Sequence, residues 1–175
     1  MTKIIIIYAT TDGHTKEICD SLVETTETLN NHVDLVEISD AGRFDLNEYD
    51  KVVIGASIRY GKHSPLIYDY IETNHQVLAQ KPNAFFSVNV VARKPEKNQP
   101  DTNPYLIKFL KQIKWQPNEL AVFAGKVDYQ KYSFFDRNMI RFIMWMTKGP
   151  TAPDTKIDFT NWEQVKAFAK TIHTM

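Results

Sequence analysis

Hydroxyl, acidic and glycine residues are concentrated in one short segment near the N-terminus. Residues 10–15 have the sequence Thr-Thr-Asp-Gly-His-Thr and lie between four isoleucines at 4–7 and a segment with helical spacing. Backbone N–H groups at a helix start, the helix dipole and threonine hydroxyls all favour a bound phosphate, and Gly13 allows a tight turn. The segment is therefore predicted to hold a phosphate; the alternative is an ordinary turn in which Thr10 or Thr11 caps the helix.

The apolar pattern of the chain alternates between strands and helices. Strands are predicted near residues 4–7, 33–38, 51–55, 83–91 and 120–127. Helices are predicted after the phosphate segment, at Ser64-Pro65, at Asn103-Pro104 and at a capping box over residues 160–163. This alternation predicts an α/β fold with a doubly wound five-stranded parallel sheet, helices on both faces, and one domain spanning residues 1–175.

Loops at the carboxyl edge of such a sheet are the expected place for a ligand. The loops after the first, third and fourth predicted strands cover residues 10–15, 57–61 and 87–91. They are predicted to wall a single site. The stretch that follows, residues 92–103, is long and basic for a simple connection.

A long insertion precedes the last predicted helix, at about residues 128–160. Its centre, residues 135–148, has a helical composition and is stopped by Gly149-Pro150. At helical spacing, an apolar face forms opposite a basic stripe, with Trp145 between them. The apolar face comprises Phe135, Met139, Phe142, Ile143 and Met146, and the stripe comprises Arg137, Arg141 and Lys148. This pattern favours a helix lying on an anionic membrane; the alternatives are core packing, an apolar substrate or a partner subunit.

Composition limits the classes of function. The formal net charge is zero, so no nucleic-acid partner is expected, and no metal site is predicted. The single cysteine, Cys19, is predicted to be a packed core residue of the first helix. Neither a signal peptide nor a membrane span is predicted, so any membrane association should be peripheral, at the cytoplasmic face of the cell membrane.

The phosphate segment resembles the S/T-x-T-G-x-T loop of flavodoxins at Thr10, Gly13 and Thr15, with Asp12 where threonine is usual. A carboxylate there is unfavourable beside a phosphate unless it points away or caps the helix. A narrower resemblance spans nearly the whole chain. Residues 53–61, 87–97, 161–165 and the insertion are similar to the bacterial quinone-dependent protoporphyrinogen oxidases, flavodoxin-like enzymes of haem synthesis that bind flavin mononucleotide (FMN).

This resemblance implies oxidation of protoporphyrinogen IX to protoporphyrin IX in three two-electron steps, with menaquinone or ubiquinone as the acceptor. The implied FMN contacts are Thr10, Thr11, Asp12, Gly13, His14, Thr15, Ser57, Ile58, Arg59, Tyr60, Gly61, Ser87, Val88, Asn89, Val90 and Val91. Tyr60 is the candidate to stack on the flavin ring. The implied substrate contacts are Arg59, Arg93, Lys94 and Lys97, and Arg59 and His63 are the catalytic candidates. The membrane or quinone contacts are Arg137, Met139, Arg141, Phe142, Ile143, Trp145 and Met146.

Other functions remain compatible with the same loops. A flavodoxin-type electron carrier would dock on a protein partner, usually through an acidic surface, which the neutral composition does not favour. A quinone reductase would consume NAD(P)H, and a scaffold domain would bind no flavin. A homo-oligomer built through the apolar face of the insertion is a further alternative.

Overall fold

A parallel five-stranded sheet forms the centre of the computed structural model, which describes residues 1–175. The strand order is β2-β1-β3-β4-β5. The strands are β1 (Thr2–Ala9), β2 (Asn31–Glu37), β3 (Lys51–Ser57), β4 (Asn83–Asn89) and β5 (Glu119–Ala124). This arrangement confirms the predicted fold class. The order reverses between β1 and β3, so the carboxyl edge of the sheet opens a crevice at this point.

The four isoleucines of β1 divide between two cores, as the period of two in a strand requires. Ile5 and Ile7 belong to the core shared with α2 (Pro65–Ala79) and α3 (Pro104–Gln112). Ile4 and Ile6 belong to the core shared with α1 (His14–Thr28) and α5 (Trp162–Thr174). All four are fully buried, and each contributes roughly 1.5–3 kcal/mol of hydrophobic stabilisation.

Local capping residues start three of the helices. Ser64 accepts a hydrogen bond from the Leu66 N–H, and Asn103 accepts one from the Leu106 N–H, as predicted. The last helix differs from the prediction because its N-cap is Asn161 rather than Thr160. The Thr160 hydroxyl donates instead to the carbonyl of Ala124 at the end of β5, 2.9 Å away. Thr160 therefore ties α5 to the sheet.

Two predicted strands end earlier in the structure. β4 stops at Asn89, whose side chain accepts from the Ala92 N–H and starts the 3-10 turn Val90–Arg93. The predicted strand over 120–127 is broken at Gly125, whose N–H donates to the Asn89 carbonyl. Beyond it, β6 (Lys126–Asp128) pairs antiparallel with β7 (Lys156–Asp158), so the insertion has its own two-stranded sheet.

The insertion also carries α4 (Phe134–Met146) and a small core of its own. Val127, Tyr129, Tyr132 and Met144 form this core. Met144 is the one fully buried residue of α4, so the helix is attached to the protein along a narrow face. None of the helices combines the length and the apolar character needed to cross a membrane.

Candidate functional site

The three predicted loops meet at the carboxyl edge of the sheet and wall one cavity, which α4 covers. The cavity has a volume of about 120 Å³. Its lining combines hydroxyl and charged groups near α1 with apolar side chains near α4. The lining residues are Thr10, Asp12, His14, Thr15, Ser57, Ile58, Arg59, Tyr60, Gly61, Val88, Asn89, Val90, Val91, Tyr105, Gly125, Lys126, Tyr132, Met139, Ile140, Ile143 and Met144.

The loop after β1 has the geometry expected of an anion cradle. Gly13 is the N-cap of α1 with φ of 86°, a left-handed conformation that favours glycine, and no side chain caps the helix. The Gly13 N–H donates to Thr10 Oγ1 at 2.9 Å, so neither Thr10 nor Thr11 caps the helix. Thr15 is only 1% exposed, yet its hydroxyl has no hydrogen-bond partner in the protein. A buried, unpaired hydroxyl on the first turn of a helix is suited to a ligand oxygen.

The His14 side chain is held in place by hydrogen bonds at the end of the cavity near α1. Its Nδ1 lies 3.0 Å from Glu17, and its Nε2 lies 2.6 Å from the Thr160 hydroxyl. Because that hydroxyl donates its hydrogen to the Ala124 carbonyl, it must accept from His14 Nε2–H. The ring is thereby fixed between α1 and the segment that leads into α5.

The carboxylate of Asp12 pairs with the guanidinium of Arg59. Arg59 Nη2 lies 2.8 Å from Asp12 and Nη1 lies 3.0 Å from Asp136 on the first turn of α4. Hydrogen bonding from Tyr60, together with Ser133 and Arg59, holds the pKa of Asp136 below its ordinary value. The unusual residue of the phosphate loop is therefore compensated by a cation.

Tyr60 occupies a strained backbone position beside the cavity. Its φ is 52° and that of Gly61 is 75°, and two hydrogen bonds between Arg59 and Lys62 close the turn, which has the pattern of a type I′ hairpin. A tyrosine in the left-handed region costs roughly 1–2 kcal/mol. The Tyr60 ring is 54% exposed and its hydroxyl donates to Asp136. Strain and exposure together mark this ring as one positioned for a ligand.

His63 lies in a buried network beneath the loop after β4 rather than in the cavity. Its Nε2 is 2.8 Å from the Ser87 hydroxyl, which also accepts from Asn89 Nδ2. Asn89 and Asn103 exchange side-chain hydrogen bonds. His63 is 2% exposed, and burial lowers its pKa to about 3. A buried ring in this place supports the loop geometry, and it does not line the cavity.

The remaining predicted FMN contacts are distributed around the cavity. Thr11 lines a second pocket, as does His63, which was predicted as a catalytic candidate. Gly13 and Ser87 lie in the loops behind the lining without forming part of it. The other predicted FMN contacts all line the cavity.

The three predicted basic substrate contacts of the β4 loop do not line the cavity. Arg93 is held by other groups: its Nη2 donates to the Thr147 carbonyl at 2.9 Å and its Nη1 to the Val90 carbonyl at 3.2 Å. Arg93 thus links the β4 loop to the end of α4. Lys97 lies half-buried in the 3-10 turn Pro95–Lys97, and Lys94, also half-buried, directly precedes that turn.

The apolar face predicted for the insertion helix divides in two. Met139 and Ile143 turn toward the cavity, together with Ile140 and Met144. An exposed strip remains, whose members are 54–82% exposed: Phe134, Phe135, Phe142, Trp145 and Met146. On the predicted basic stripe, Arg137 donates to the Tyr129 carbonyl and Arg141 to the Thr151 carbonyl, while Lys148 is exposed. These arginines hold the insertion together.

Several lining residues were not predicted from the sequence. They are Tyr105, Gly125, Lys126, Tyr132, Ile140 and Met144. Asp136 was also missed, although it lies on the first turn of a helix, where a carboxylate is common, and forms an ion pair with Arg59. The aromatic spacing of Tyr129 and Tyr132 was a usable signal. The other unpredicted residues belong to the site only because of the tertiary arrangement of the insertion over the cavity.

The arrangement suits a ligand with an anionic end and a planar apolar body. The α1 cradle, with Gly13 and the unpaired Thr15 hydroxyl, accommodates a phosphate. Ile58, Tyr60, Val88 and Val90 from the next two loops offer apolar contact to a ring. These are the features that a flavin mononucleotide requires, and the residues present fit it.

Comparisons with known proteins agree with this geometry. A family model described as Flavodoxin domain matches residues 5–154. A relative from Leishmania major, named Protoporphyrinogen IX dehydrogenase (quinone), is 44% identical over 95% of this chain and 73% of its own. A relative of the same name from Escherichia coli K12 is 41% identical over 97% of this chain and 94% of its own.

Solved flavodoxins share the fold at low identity. A flavodoxin of Streptococcus pneumonia TIGR4 superimposes with a TM-score of 0.56 at 15% identity, covering 98% of both chains. Oxidised Flavodoxin 1 from Bacillus cereus gives a TM-score of 0.54 at 15% identity over 99% of this chain and 98% of its own. At these identities the likeness concerns the fold alone.

Proposed function

Because the chain belongs to the flavodoxin domain family and, within it, to the quinone-type protoporphyrinogen IX dehydrogenases, we propose that it oxidises protoporphyrinogen IX to protoporphyrin IX and passes the electrons to a quinone. The reaction removes six electrons and six protons from the substrate in three two-electron steps. The acceptor is a menaquinone or a ubiquinone of the membrane.

The main support for this proposal is the cavity, which has an anion cradle at one end and an apolar chamber next to it. The cradle lies at Gly13 and Thr15, and α4 closes the chamber with Met139 and Ile143. A flavodoxin that serves protein partners needs no such chamber. A chamber beside the flavin is required when the electron donor is a bulky macrocycle.

FMN is the cofactor we assign to this site; when bound, it would supply two-electron redox chemistry that no side chain provides. Thr10, Gly13 and Thr15 would hold its phosphate. The loops at 57–61 and 88–91 would flank its ring, and Tyr60 would cover one face. The chain's own part is to orient the ring and to exclude water through α4. Protons would leave to solvent, since the buried His63 does not line the cavity.

We assign the exposed strip of α4 to the surface of the cell membrane, on its cytoplasmic side. Five large apolar side chains exposed on one helix are unusual for a water-facing surface. A quinone acceptor resides in lipid, so an apolar strip on the helix that closes the cavity brings the two together. Trp145 suits the interfacial region of a bilayer.

The membrane assignment is tested by liposome binding. Phe142→Asp with Met146→Asp should abolish co-sedimentation and reduce turnover with a long-tailed quinone, while turnover with a short water-soluble quinone persists. Leu66→Asp, at an exposed apolar residue of α2, is the matched control and should co-sediment as the wild type does. Unchanged co-sedimentation of the double variant would contradict the assignment. A change in oligomeric state alone would assign the strip to a second copy of the chain.

The function itself is tested by turnover. Purified protein loaded with FMN should form protoporphyrin IX from protoporphyrinogen IX, by fluorescence, with multiple turnovers only when a menaquinone analogue is present. NADPH should not replace the porphyrinogen as electron donor. Quinone reduction driven by NADPH without porphyrinogen would favour the quinone-reductase alternative.

A further inference from the structure

Three segments around the cavity meet at the guanidinium of Arg59. Asp12 reaches it from the loop after β1, at 2.8 Å, and Asp136 reaches it from the first turn of α4, at 3.0 Å. The Tyr60 hydroxyl also donates to Asp136. One cation is therefore shared by two carboxylates, and the group carries an excess of negative charge.

The two ends of α4 are held in different ways. Near its C-terminal end, Met144 is buried in the core of the insertion, and Thr147 accepts from Arg93. At its N-terminal end, Phe134 and Phe135 are exposed, Arg137 donates to the Tyr129 carbonyl within the insertion, and Asp136 contacts Arg59 and Tyr60 of the loop after β3. The C-terminal end is thus anchored by packing and by Arg93, whereas the link between the N-terminal end and the loop after β3 is an ion pair. Partly exposed ion pairs are weak and exchangeable.

The two carboxylates at Arg59 disfavour the binding of a substrate that carries a carboxylate. A third carboxylate beside Arg59 would be repelled by Asp12 and Asp136. If it replaced Asp136, the charge balance would be unchanged and the guanidinium would keep two partners. The cavity volume of about 120 Å³ is also below the roughly 300 Å³ of small ligand sites. Movement of α4 would relieve both constraints.

We propose that Arg59 binds a propionate carboxylate of the substrate, that Asp136 occupies this place in the closed protein, and that exchange of the two carboxylates releases the N-terminal half of α4 from the cavity. Asp12 stays on Arg59 in both states and keeps the guanidinium in place. The proposal rests on the proposed function for the identity of the substrate. It requires no chemical step, only an exchange of ion pairs.

The first test compares a porphyrin acid with its ester. Protoporphyrin IX and its dimethyl ester are titrated into the FMN-loaded protein, and binding is followed by tryptophan quenching. Asp136→Asn removes the competing charge, so protoporphyrin IX should bind about two- to five-fold more tightly while the ester binds as before. Arg59→Gln should weaken binding of the acid alone. Asp20→Asn, at an α1 residue paired with Lys16 outside the cavity, is the matched control and should change neither.

The second test follows the helix itself by hydrogen–deuterium exchange. Protoporphyrin IX should increase deuterium uptake over residues 134–140 of the wild-type protein, and the dimethyl ester should not. In Asp136→Asn, uptake over the same residues should already be raised without a ligand, and FMN should associate faster. Equal uptake with acid and ester, or weaker binding of the acid to Asp136→Asn, would overturn the exchange.

Different results would contradict the proposed function and the proposed carboxylate exchange. Reduction of FMN by protoporphyrinogen IX in a protein that binds acid and ester equally would leave the function intact and overturn the exchange. Acid-selective binding that depends on Asp136, in a protein whose FMN stays oxidised with porphyrinogen, would support the exchange and overturn the function.

Discussion

The unpaired hydroxyl of Thr15 allows a prediction in which folding and cofactor binding respond with opposite signs. Thr15 is buried on the first turn of α1, and its Oγ1 has no partner in the protein. Thr15→Val replaces the hydroxyl by a methyl group of nearly the same volume. The free protein should therefore be as stable as the wild type or more stable by about 1 kcal/mol, because an unsatisfied buried polar group is removed.

Binding of FMN should be weakened by the same change. A hydrogen bond to a charged acceptor contributes about 1.5–3 kcal/mol, so the dissociation constant should rise roughly 10- to 150-fold. Flavin fluorescence quenching measures the affinity, and urea unfolding of the cofactor-free protein measures the stability.

Thr26 provides the matched control on the same helix. It too is buried with an unpaired hydroxyl, but it does not line the cavity. Thr26→Val should leave FMN affinity unchanged and should affect stability as Thr15→Val does. Equal FMN affinity for Thr15→Val and the wild type would refute the assignment of Thr15 to the phosphate.

Two further predictions concern the buried network and the core. Because burial lowers the pKa of His63 to about 3 from an ordinary 6.5, the unfolded state binds more protons between these values, and stability falls as the pH drops from 6.5 toward 3. The wild-type protein should lose about 2 kcal/mol more of its free energy of unfolding between pH 7 and pH 5 than His63→Gln does, measured by urea unfolding. An equal loss in the two proteins would contradict a neutral His63 in the folded state. A methyl group on Gly55 would lie 2.0 Å from Phe86 Cζ, so Gly55→Ala should cost about 1–3 kcal/mol. Gly42→Ala, with open space around it, should cost about 0.5 kcal/mol or less, and equal costs would contradict this packing.

Local signals made most of the fold predictable. The alternation of buried isoleucines in β1 and the caps Ser64 and Asn103 act within a few residues, so a sequence pattern contains them. The cap of the last helix was misplaced by one residue because Thr160 is used by a partner far away in the chain, the carbonyl of Ala124. The end of β5 at Gly125 is likewise set by a bond to the distant Asn89.

The three loops of the candidate site could be predicted from the sequence, but the orientation of α4, which covers the cavity, could not. The three walls follow from the rule that ligands bind at the carboxyl edge of a parallel sheet. The orientation of α4 depends on which of two apolar half-faces meets the cavity, and helical spacing cannot decide this. The hydrogen bonds of Arg137 and Arg141 could not be predicted, because their acceptors are backbone carbonyls, which every residue offers. The partnership of Asp136 with Arg59 is a tertiary contact of the same kind.

The most direct measurement is an anaerobic titration of FMN-loaded protein with protoporphyrinogen IX in the absence of quinone. Flavin absorbance and porphyrin fluorescence are recorded together. Six electrons leave each substrate molecule and each FMN accepts two, so one protoporphyrin IX should form for every three FMN reduced. A flavin that stays oxidised with porphyrinogen present would contradict the claim that this cavity carries out the oxidation.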